Sequence, residues 1–438
     1  MAGDASKILQ VAVIGAGAAG LCAARHLASK PHLFQPHVFE KEEQVGGTWI
    51  YTEDVEKNKY GFTVHSSMYK NLKTNLPKEV MAFPDFPFDK TLPSFLTHQQ
   101  VLQYLKDYAQ HFDLNKFIKF KTCVDHIKPV ITSSKENQVI WDVGFRGIEQ
   151  SSDDIETQQF DAVIVCNGHY AEPQIPNIQG MSSFHGNIVH SHHYRHPEDY
   201  KDKNIVLLGA GASGIDVALD IAPCARRVIL SHNKNPLVSA LPENMSQAPG
   251  IKYLKDNKVI FKNDQEEEID VLMLCTGYKY SFPFLSPECN VQVIDSRVTS
   301  LYKHAIHTQF PYLSFIGICS VICPFPQFDC QALFIMSILD GSQQLPSRHE
   351  MEKDIEKDYN WRLNDLQFPN RYAHRMSNMQ WDYNDQLCMM AKVKPISRVV
   401  PSIYDAVHHH RVNHLMGYKT DEYEITGPDT WRKIEPNK

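Results

Sequence analysis

One pattern occurs twice in this chain, and it limits the possible folds more than any other feature. Residues 11–14 form an unbroken apolar run that leads into three glycines with G-x-G-x-x-G spacing. Residues 204–208 form a second apolar run that leads into the same spacing, and helix-forming residues follow each glycine turn. This order of strand, tight turn and helix predicts a dinucleotide-binding unit at each place. The fold class that we expect is α/β, with two doubly wound, Rossmann-like domains.

The three glycines of each turn have separate roles. The first permits the tight turn, the second lets the backbone approach a phosphate, and the third lets the helix pack closely on the strand. The phosphates then lie at a helix N-terminus, where unbonded N–H groups favour anions. The residues expected at the first pyrophosphate are Gly15, Ala16, Gly17, Ala18, Ala19 and Gly20. Those expected at the second are Gly209, Gly211 and Gly214.

The residue that ends the following strand distinguishes the two nucleotides. Glu40 ends an apolar strand about 20 positions after the first glycine turn, where a carboxylate accepts hydrogen bonds from ribose hydroxyls. The corresponding strand of the second unit ends in Ser231 and His232, with Lys234 close by and no acidic residue. A hydroxyl and a cation accept a 2′-phosphate that a carboxylate repels. We therefore predict FAD in the first unit and NADP(H) in the second; if these three residues are only solvated, NAD stays open.

Composition and charge exclude several classes of partner. The 438 residues are 42% hydrophobic and carry a formal net charge of −7, without a basic run. We therefore expect no nucleic-acid partner and no membrane-binding surface. The N-terminus lacks an apolar segment, which predicts a soluble, cytoplasmic chain, or a secreted one if a leader has been removed. Residues 308–328 are uncharged, but their prolines predict a strand over 312–318 and a loop, and no membrane anchor.

The cysteines and histidines predict neither a disulfide framework nor a metal site. Most of the ten cysteines lie in apolar runs, which indicates buried thiols. The absence of a Cys-x-x-Cys motif argues against a dithiol reductase, and Cys319 and Cys323 lie in an apolar segment. The histidines within 190–196 and 408–410 have no cysteine or carboxylate at ligand spacing.

Two loops are candidates for contact with the first nucleotide. Residues 46–49 place Gly47 where the backbone can approach closely, beside Thr48 and the flat ring of Trp49. The second loop contains Asn75, whose amide is a candidate hydrogen-bond partner for a ring, although a turn asparagine near a proline is equally compatible. Amphipathic patterns predict helices over 98–112 and 347–363.

A third segment connects these features to a known family. Residues 184–194 have the pattern F-x-G-x-x-x-H-x-x-x-Y, and with the flanking glycine motifs they resemble the flavin-containing monooxygenases, which make N-oxides and S-oxides. Residues 74–81 resemble the loop of that family that presents an asparagine to the flavin and NADP. Residues 275–278 resemble its A-T-G-Y linker, with Cys275 in place of alanine. Within the family the chain resembles the insect members and is similar to the pyrrolizidine alkaloid N-oxygenases.

The resemblance implies a reaction and a set of residues. NADPH reduces FAD, O₂ adds to the flavin, and the C4a-(hydro)peroxyflavin passes an oxygen atom to a soft nucleophilic N or S, such as a tertiary amine of a plant alkaloid or a thioether. Asn75 hydrogen-bonds this intermediate and is the catalytic candidate. The FAD contacts that the resemblance implies are Thr48, Trp49, Asn75, Leu76 and Gln331. The NADP contacts that it implies are Thr74, Asn75, Ser213, Gly214, Ile215 and Asp216.

The resemblance also implies a domain order and leaves alternatives open. An FAD-binding domain covers 1–170 and 278–438, and an NADP-binding domain over 171–277 is inserted in it. The expected partners are a small amine or thioether and O₂, and a homo-oligomer is compatible with the sequence. A Baeyer–Villiger monooxygenase of ketones uses the same nucleotides, but that family usually has Trp where this chain has Tyr194. A non-catalytic FAD- and NADP-binding redox partner is the other alternative.

Overall fold

The computed structural model describes residues 7–131, 139–151 and 153–434 of the chain. The α-helices there are α1 Ala18–Ala28, α2 Lys78–Met81, α3 His98–His111, α4 Ala212–Ile221, α5 Pro324–Leu339, α6 Arg348–Asn364, α7 Gln380–Ala391 and α8 Val399–Asn413. The strands are β1 Leu9–Ile14, β2 Phe34–Phe39, β3 Ile118–Lys119, β4 Thr122–Ile131, β5 Val139–Gly147, β6 Glu156–Phe160, β7 Ala162–Val165, β8 Glu172–Pro173, β9 Asn187–His190, β10 Asn204–Leu208, β11 Arg227–Ser231, β12 Met245–Ala248, β13 Ile251–Lys255, β14 Lys258–Phe261, β15 Glu266–Glu268, β16 Val271–Leu274, β17 Tyr278–Lys279, β18 Val293–Ile294, β19 Arg297–Val298, β20 Leu301–Tyr302, β21 Ile306–His307, β22 Leu313–Phe315, β23 Glu422–Ile425 and β24 Trp431–Ile434.

The first sheet has seven strands in the order β20-β21-β22-β7-β1-β2-β3. Its central strands β22, β7, β1, β2 and β3 are parallel, and β20 and β21 extend the edge in antiparallel fashion. Residues 11–14 of β1 are buried on both faces, because helices α1 and α5 cover one face and the antiparallel layer β4-β5-β6 lies on the other. An unbroken apolar run is what such a doubly covered parallel strand requires.

The second sheet has five parallel strands in the order β12-β11-β10-β16-β9. Its strands lie in sequence between β7 and β20 of the first sheet, so the second sheet is inserted into the first. The two sheets confirm the predicted doubly wound α/β class. The domain boundaries at 170 and 277 stay predictions.

The two segments that connect the sheets pair with each other. Strands β8 and β17 are antiparallel, with Pro173 opposite Tyr278 and Glu172 opposite Lys279. The backbone N–H of Gln174 also donates to the carbonyl of Gly277 at 2.8 Å. The outgoing and returning chains therefore form one short ribbon between the two sheets.

Most of the predicted local elements are present. Helix α3 confirms the helix expected over 98–112, and the capping box of Thr97 and Gln100 fixes its start. Helix α6 confirms the helix expected over 347–363. Strand β22 is shorter than predicted because Gly317, at φ +90°, turns the chain after it. The loop expected after Asn75 contains the short helix α2 instead. Among the described residues, no helix has the length and apolar character needed to cross a bilayer.

Candidate active site

The first glycine turn joins β1 to α1. Gly15 has φ +105°, and a Cβ there would lie 2.7 Å from the carbonyl oxygen of Cys166. A Cβ on Gly20 would collide with the carbonyl oxygen of Gly15, so the helix packs as closely as the third glycine predicts. Gly17 faces a second glycine, Gly47, and a Cβ on Gly47 would lie 2.9 Å from the Cα of Gly17.

The N-terminus of α1 has unbonded donors. Its N-cap Gly17 provides no side-chain cap, and the first residue whose N–H bonds within the helix is Leu21. The N–H groups of residues 18–20 have no protein acceptor in the described chain, and no acidic residue occupies the first turn. This end of the helix can therefore hold an anion.

Glu40 lies directly beside this turn. Its side chain is only 5% exposed, and its carboxylate accepts hydrogen bonds from the N–H of Ala16 at 2.6 Å and the N–H of Glu42 at 2.9 Å. Burial raises the pKa of Glu40, and these two backbone donors oppose that rise. The carboxylate is thus fixed next to the phosphate turn, and each oxygen keeps a lone pair for a further donor such as a ribose hydroxyl.

Residues 47–49 form a short 3₁₀ turn against Gly17. The carbonyl of Thr48 accepts the hydroxyl of Ser66 at 2.7 Å, which fixes the turn. The ring of Trp49 meets that of Phe325 edge to face, with centroids 6.5 Å apart, and Phe325 stacks on Phe83 at 4.9 Å. The turn therefore carries an aromatic wall close to the first glycine motif.

Asn75 lies half-buried in the loop before α2. Its Oδ1 accepts the hydroxyl of Tyr418 at 2.9 Å, and nothing in the described parts of the chain bonds its Nδ2. Thr74 is buried, and its hydroxyl accepts the N–H of Leu96 at 3.0 Å, so it supports the loop. Leu76 packs against two hydrophobic clusters. Of the three residues predicted in this loop, Asn75 alone has free polar atoms on its side chain.

The second glycine turn repeats the first. Gly209 has φ +119°, and a Cβ on Gly214 would collide with the carbonyl oxygen of Gly209. Gly211 is exposed, and nothing lies within 4 Å of the position that its Cβ would take. The N–H groups of residues 212–214 have no acceptor within the described ranges, and Ser213 is exposed.

The side chains of two predicted NADP contacts on α4 are used within the protein, and their contact with NADP stays a prediction. Ile215 is buried in the core of the second sheet, and its N–H is used within the helix. The carboxylate of Asp216 accepts Lys419 Nζ at 2.7 Å and the hydroxyl of Tyr69 at 3.3 Å. Asp216 therefore connects α4 to the C-terminal segment.

Of the three residues predicted to select the 2′-phosphate, the structure places one at the turn. Ser231 is fully buried, and its hydroxyl donates to the carbonyl of Pro249 at 2.7 Å. His232 is also buried, and its ring nitrogens contact Lys234 N and Gln247 Oε1. Lys234 Nζ donates to the carbonyl of Ala210, inside the glycine turn, at 2.9 Å.

Two arginines that the sequence did not indicate lie near Lys234. Burial lowers the pKa of Lys234, Tyr372 raises it, and the charges of Arg375 and Arg411 lower it further. The three cations come from β11–β12, from the loop before α7 and from α8, so only the fold brings them together. With Lys234, the two arginines place positive charge beside the second glycine turn.

Residues 8–244 and 238–434 match the model of a protein family that is described as "Flavin-binding monooxygenase-like". The chain belongs to this FMO-like family. A relative from Arabidopsis thaliana, flavin-containing monooxygenase FMO GS-OX-like 4, is 39% identical over 401 residues, which cover 86% of each chain.

Solved structures agree with the FMO-like assignment. S-allyl-L-cysteine S-oxygenase from Allium sativum has a TM-score of 0.87 and 34% identity, and the match covers 95% of this chain and 96% of that one. Cyclohexanone monooxygenase from Rhodococcus sp. Phi1 bound to NADP⁺ has a TM-score of 0.60 at 14% identity, covering 88% and 98%, which shows the fold alone. The narrower resemblance to insect alkaloid N-oxygenases stays a prediction.

FAD and NADPH are the cofactors of this FMO-like protein, and its residues fit them. Two helix N-termini have free N–H donors beside glycine turns. The position that a Cβ of Gly211 would take is open, as close approach of a pyrophosphate requires. The first turn has the acid Glu40 and the second has the cation Lys234. A ribose with free hydroxyls suits the first, and a 2′-phosphate suits the second.

Gln331 does not offer a free group to the flavin. It is fully buried in α5, its Oε1 accepts the N–H of Gly317 at 3.1 Å, and its Nε2 donates to the hydroxyl of Tyr383 at 2.9 Å. The FMO-like chain uses this amide to tie α5 and α7 to the turn after β22. A direct contact with the ring, as the resemblance implied, would require these bonds to break.

Three histidines where the two units of the FMO-like protein meet stay uncharged near neutral pH. Burial lowers the pKa of His65 to about 3, and it lowers those of His169 and His192 to about 4. His169 Nδ1 lies 2.8 Å from the carbonyl of Gly317, and His192 Nε2 lies 3.1 Å from the carbonyl of Val64. The other ring nitrogen of each has no hydrogen-bond partner among the described residues. Of these three, only His192 is considered in the sequence analysis, and only as a possible metal ligand.

One cluster of the FMO-like protein has metal-binding residue types. Cys22, His26 and Asp329 are buried, and their ligand atoms lie within 4.8 Å of one another. His26 Nε2 and Asp329 Oδ1 are 2.6 Å apart, which is a hydrogen-bond distance and closer than two ligands of one ion lie. We interpret the cluster as an imidazole–carboxylate pair that connects α1 to α5.

A cavity of about 670 Å³ lies between α6 and α7 of this FMO-like fold. Its walls include Arg297 and Lys303 as well as Asp354 and Asp358. No residue of either glycine turn lines it, so it is separate from the nucleotide sites.

Proposed function

We propose that this protein is an NADPH- and O₂-dependent flavin monooxygenase that oxygenates soft nucleophilic N or S atoms. Bound FAD supplies the redox chemistry once NADPH has reduced it. The chain's own residues hold the two nucleotides, place hydrogen-bond donors and keep water out. The observation that carries the proposal is the side-chain amide of Asn75, whose Nδ2 has no acceptor among the described residues and lies in a loop that contacts both nucleotide units.

The position of that loop supports the role. Lys419 Nζ donates to the carbonyl of Lys73 at 3.0 Å and to Asp216 of α4 at 2.7 Å, so residues 73–75 are tied to the second unit. Leu76 packs into the core of the first unit. In the proposed arrangement, the two nucleotides meet between the two units, in a nucleotide cleft that the Asn75 loop borders. Asn75 can donate a hydrogen bond to groups of both nucleotides there, and the catalytic role proposed for it depends on that donor.

The electrostatics near the cleft support an uncharged nucleophile. His65, His169 and His192 are neutral near pH 7, so they place no cation where an amine or thioether would approach. An amine nitrogen must keep its lone pair to attack, and a weakly hydrated pocket favours the neutral form. Both a tertiary amine and a thioether meet this requirement.

Two similarities bear on whether the oxygenated atom of the substrate is nitrogen or sulfur. The relative from Allium sativum is an S-allyl-L-cysteine S-oxygenase, and it is 34% identical to this chain. The sequence resemblance to alkaloid N-oxygenases favours a tertiary amine such as a pyrrolizidine alkaloid. We propose that both atom types are accepted, and that alkaloid N-oxidation is the activity to assay first.

The test uses the purified, FAD-loaded protein with NADPH, ¹⁸O₂ and two substrates, a tertiary amine alkaloid and an alkyl cysteine thioether. We expect substrate-dependent NADPH consumption and one labelled oxygen atom in the product. Asn75→Ala should divert the reducing equivalents to H₂O₂, because the donor is lost. Conversion of a cyclic ketone to a lactone in place of these products would favour the Baeyer–Villiger alternative. A yellow protein without NADPH-dependent O₂ consumption would favour a redox partner.

A further inference from the structure

The side chain of Asn75 has one hydrogen bond to the described chain, and it comes from far along the sequence. The hydroxyl of Tyr418 donates to Oδ1 at 2.9 Å, although the two residues are 343 positions apart. A primary amide has an acceptor at one end and two donors at the other. The hydroxyl of Tyr418 has no other acceptor among the described residues, so a flipped amide would leave the phenol hydrogen without a partner, and the observed orientation, with Nδ2 pointing away from Tyr418, is favoured.

Tyr418 is itself held in place. It is 2% exposed, and its ring meets Phe95 edge to face with centroids 5.4 Å apart. The guanidinium of Arg411 lies over the same ring at 5.4 Å. Burial raises the pKa of Tyr418. The phenol therefore stays protonated at any working pH and keeps its donor.

The next residue fixes the segment to the second nucleotide unit. Lys419 contacts both Lys73, two residues before Asn75, and Asp216 of α4. The Asn75 loop, the C-terminal segment and α4 are thus joined within two successive residues. Any movement of Tyr418 relative to Asn75 would have to break these contacts.

We propose that Tyr418 is a positioning residue that holds Oδ1 of Asn75, so that both Nδ2 hydrogens face the nucleotide cleft. This inference rests on the proposed function, in which Asn75 donates to groups in that cleft. Without the phenol, rotation of the amide by half a turn would place an acceptor where a donor is needed, and part of the population would lose the bond.

The chain provides a matched control. Tyr423 is also buried, also packs edge to face on Phe95, and also has one hydroxyl contact, to Asp421 at 3.4 Å. Tyr418→Phe and Tyr423→Phe therefore remove the same atom from the same hydrophobic cluster. They differ in whether the lost partner is Asn75.

The first measurement is the NADP⁺ dissociation constant of the oxidised, FAD-loaded protein by calorimetry, which needs no turnover. We expect Tyr418→Phe to weaken NADP⁺ binding about fivefold, the factor that corresponds to one net hydrogen bond. Tyr423→Phe should leave it unchanged, and both variants should melt at similar temperatures. A dissociation constant for Tyr418→Phe equal to that of the unmodified protein would overturn the proposal.

The second measurement is the fraction of NADPH that ends as H₂O₂, in a cycle with Asn75→Ala. If Tyr418 acts through Asn75, Tyr418→Phe raises this fraction and adds nothing in the double variant. Additive effects would show that Tyr418 acts independently of Asn75, which contradicts the proposal. If the unmodified protein consumes no O₂ while Tyr418→Phe still weakens NADP⁺ binding, the proposed function fails and the positioning role stands.

Discussion

The two glycine turns have the same topology, yet an acidic side chain fixes the first and a cationic side chain fixes the second. In the first turn, the buried carboxylate of Glu40 accepts the N–H of Ala16. In the second, the ammonium of Lys234 donates to the carbonyl of Ala210, the equivalent residue. One fold therefore presents an acid at one ribose site and a cation at the other. The difference between the two nucleotides is a property of a few side chains, and the backbone is shared.

The largest effects should come from filling the turns themselves. Because a Cβ at Gly20 or Gly214 meets a backbone carbonyl, Gly20→Ala and Gly214→Ala should each weaken binding of its own nucleotide at least about 100-fold. Gly20→Ala should purify without flavin, whereas Gly214→Ala should stay yellow and fail to bind NADPH. The control is Gly417→Ala, where a Cβ has open space. Loss of both nucleotides in either variant would show that the turns are not independent.

A smaller effect on FAD affinity is expected from substitution of Glu40. Glutamine has one acceptor oxygen where the carboxylate of Glu40 has two. In Glu40→Gln, the backbone N–H of either Ala16 or Glu42 therefore loses its acceptor, which costs about 1–3 kcal/mol of free energy. FAD affinity should fall about tenfold to 100-fold, measured by flavin fluorescence on the apoprotein, and NADP⁺ affinity should not change. The half-buried Glu42→Gln is the control. An unchanged FAD affinity would remove Glu40 from the site.

Acid should destabilise the fold where the two units meet. Burial holds the pKa of His65 at about 3 and that of His169 at about 4, so the folded chain binds fewer protons than the unfolded one. The stability linked to these groups is complete above about pH 6.5 and decreases below it, by about 2 kcal/mol per histidine at pH 5. Urea unfolding at pH 7.5 and pH 5 should show a smaller difference for His65→Gln. An identical pH dependence would contradict the burial of a neutral imidazole.

The smallest effect is expected on the nucleotide preference, from substitution of Lys234. Lys234→Met should raise the KM for NADPH about tenfold and leave that for NADH unchanged, because one charge facing the 2′-phosphate is lost. Ser231→Ala is the matched test of the neighbouring residue. Its hydroxyl is bonded to Pro249, so it should cost about 1 kcal/mol of stability and keep the nucleotide preference. Equal changes for both nucleotides in Lys234→Met would reject the assignment.

Local patterns predicted what depends on neighbours in sequence. The apolar runs, the glycine spacing and Glu40 all act within one strand–turn–helix unit, and the structure has each of them. Ser231 shows where this reasoning ends. Strand β11 is buried on both faces, so its last residue points inward, and the type of residue alone does not show that.

Other parts of the site depend on contacts between distant segments. The bond between Tyr418 and Asn75 and the approach of Arg375 and Arg411 to Lys234 join residues that are far apart in the chain. No spacing rule predicts them, because the packing of α8 and the loop before α7 creates them.

The central claim is that the two turns hold two different nucleotides. The most direct measurement is calorimetric titration of the apoprotein with FAD, followed by titration of the loaded protein with NADP⁺ and with NAD⁺. We expect one FAD per chain, then one NADP⁺ per chain without displacement of the flavin, and much weaker binding of NAD⁺. Competition between FAD and NADP⁺ for a single site, or equal binding of NADP⁺ and NAD⁺, would contradict the account.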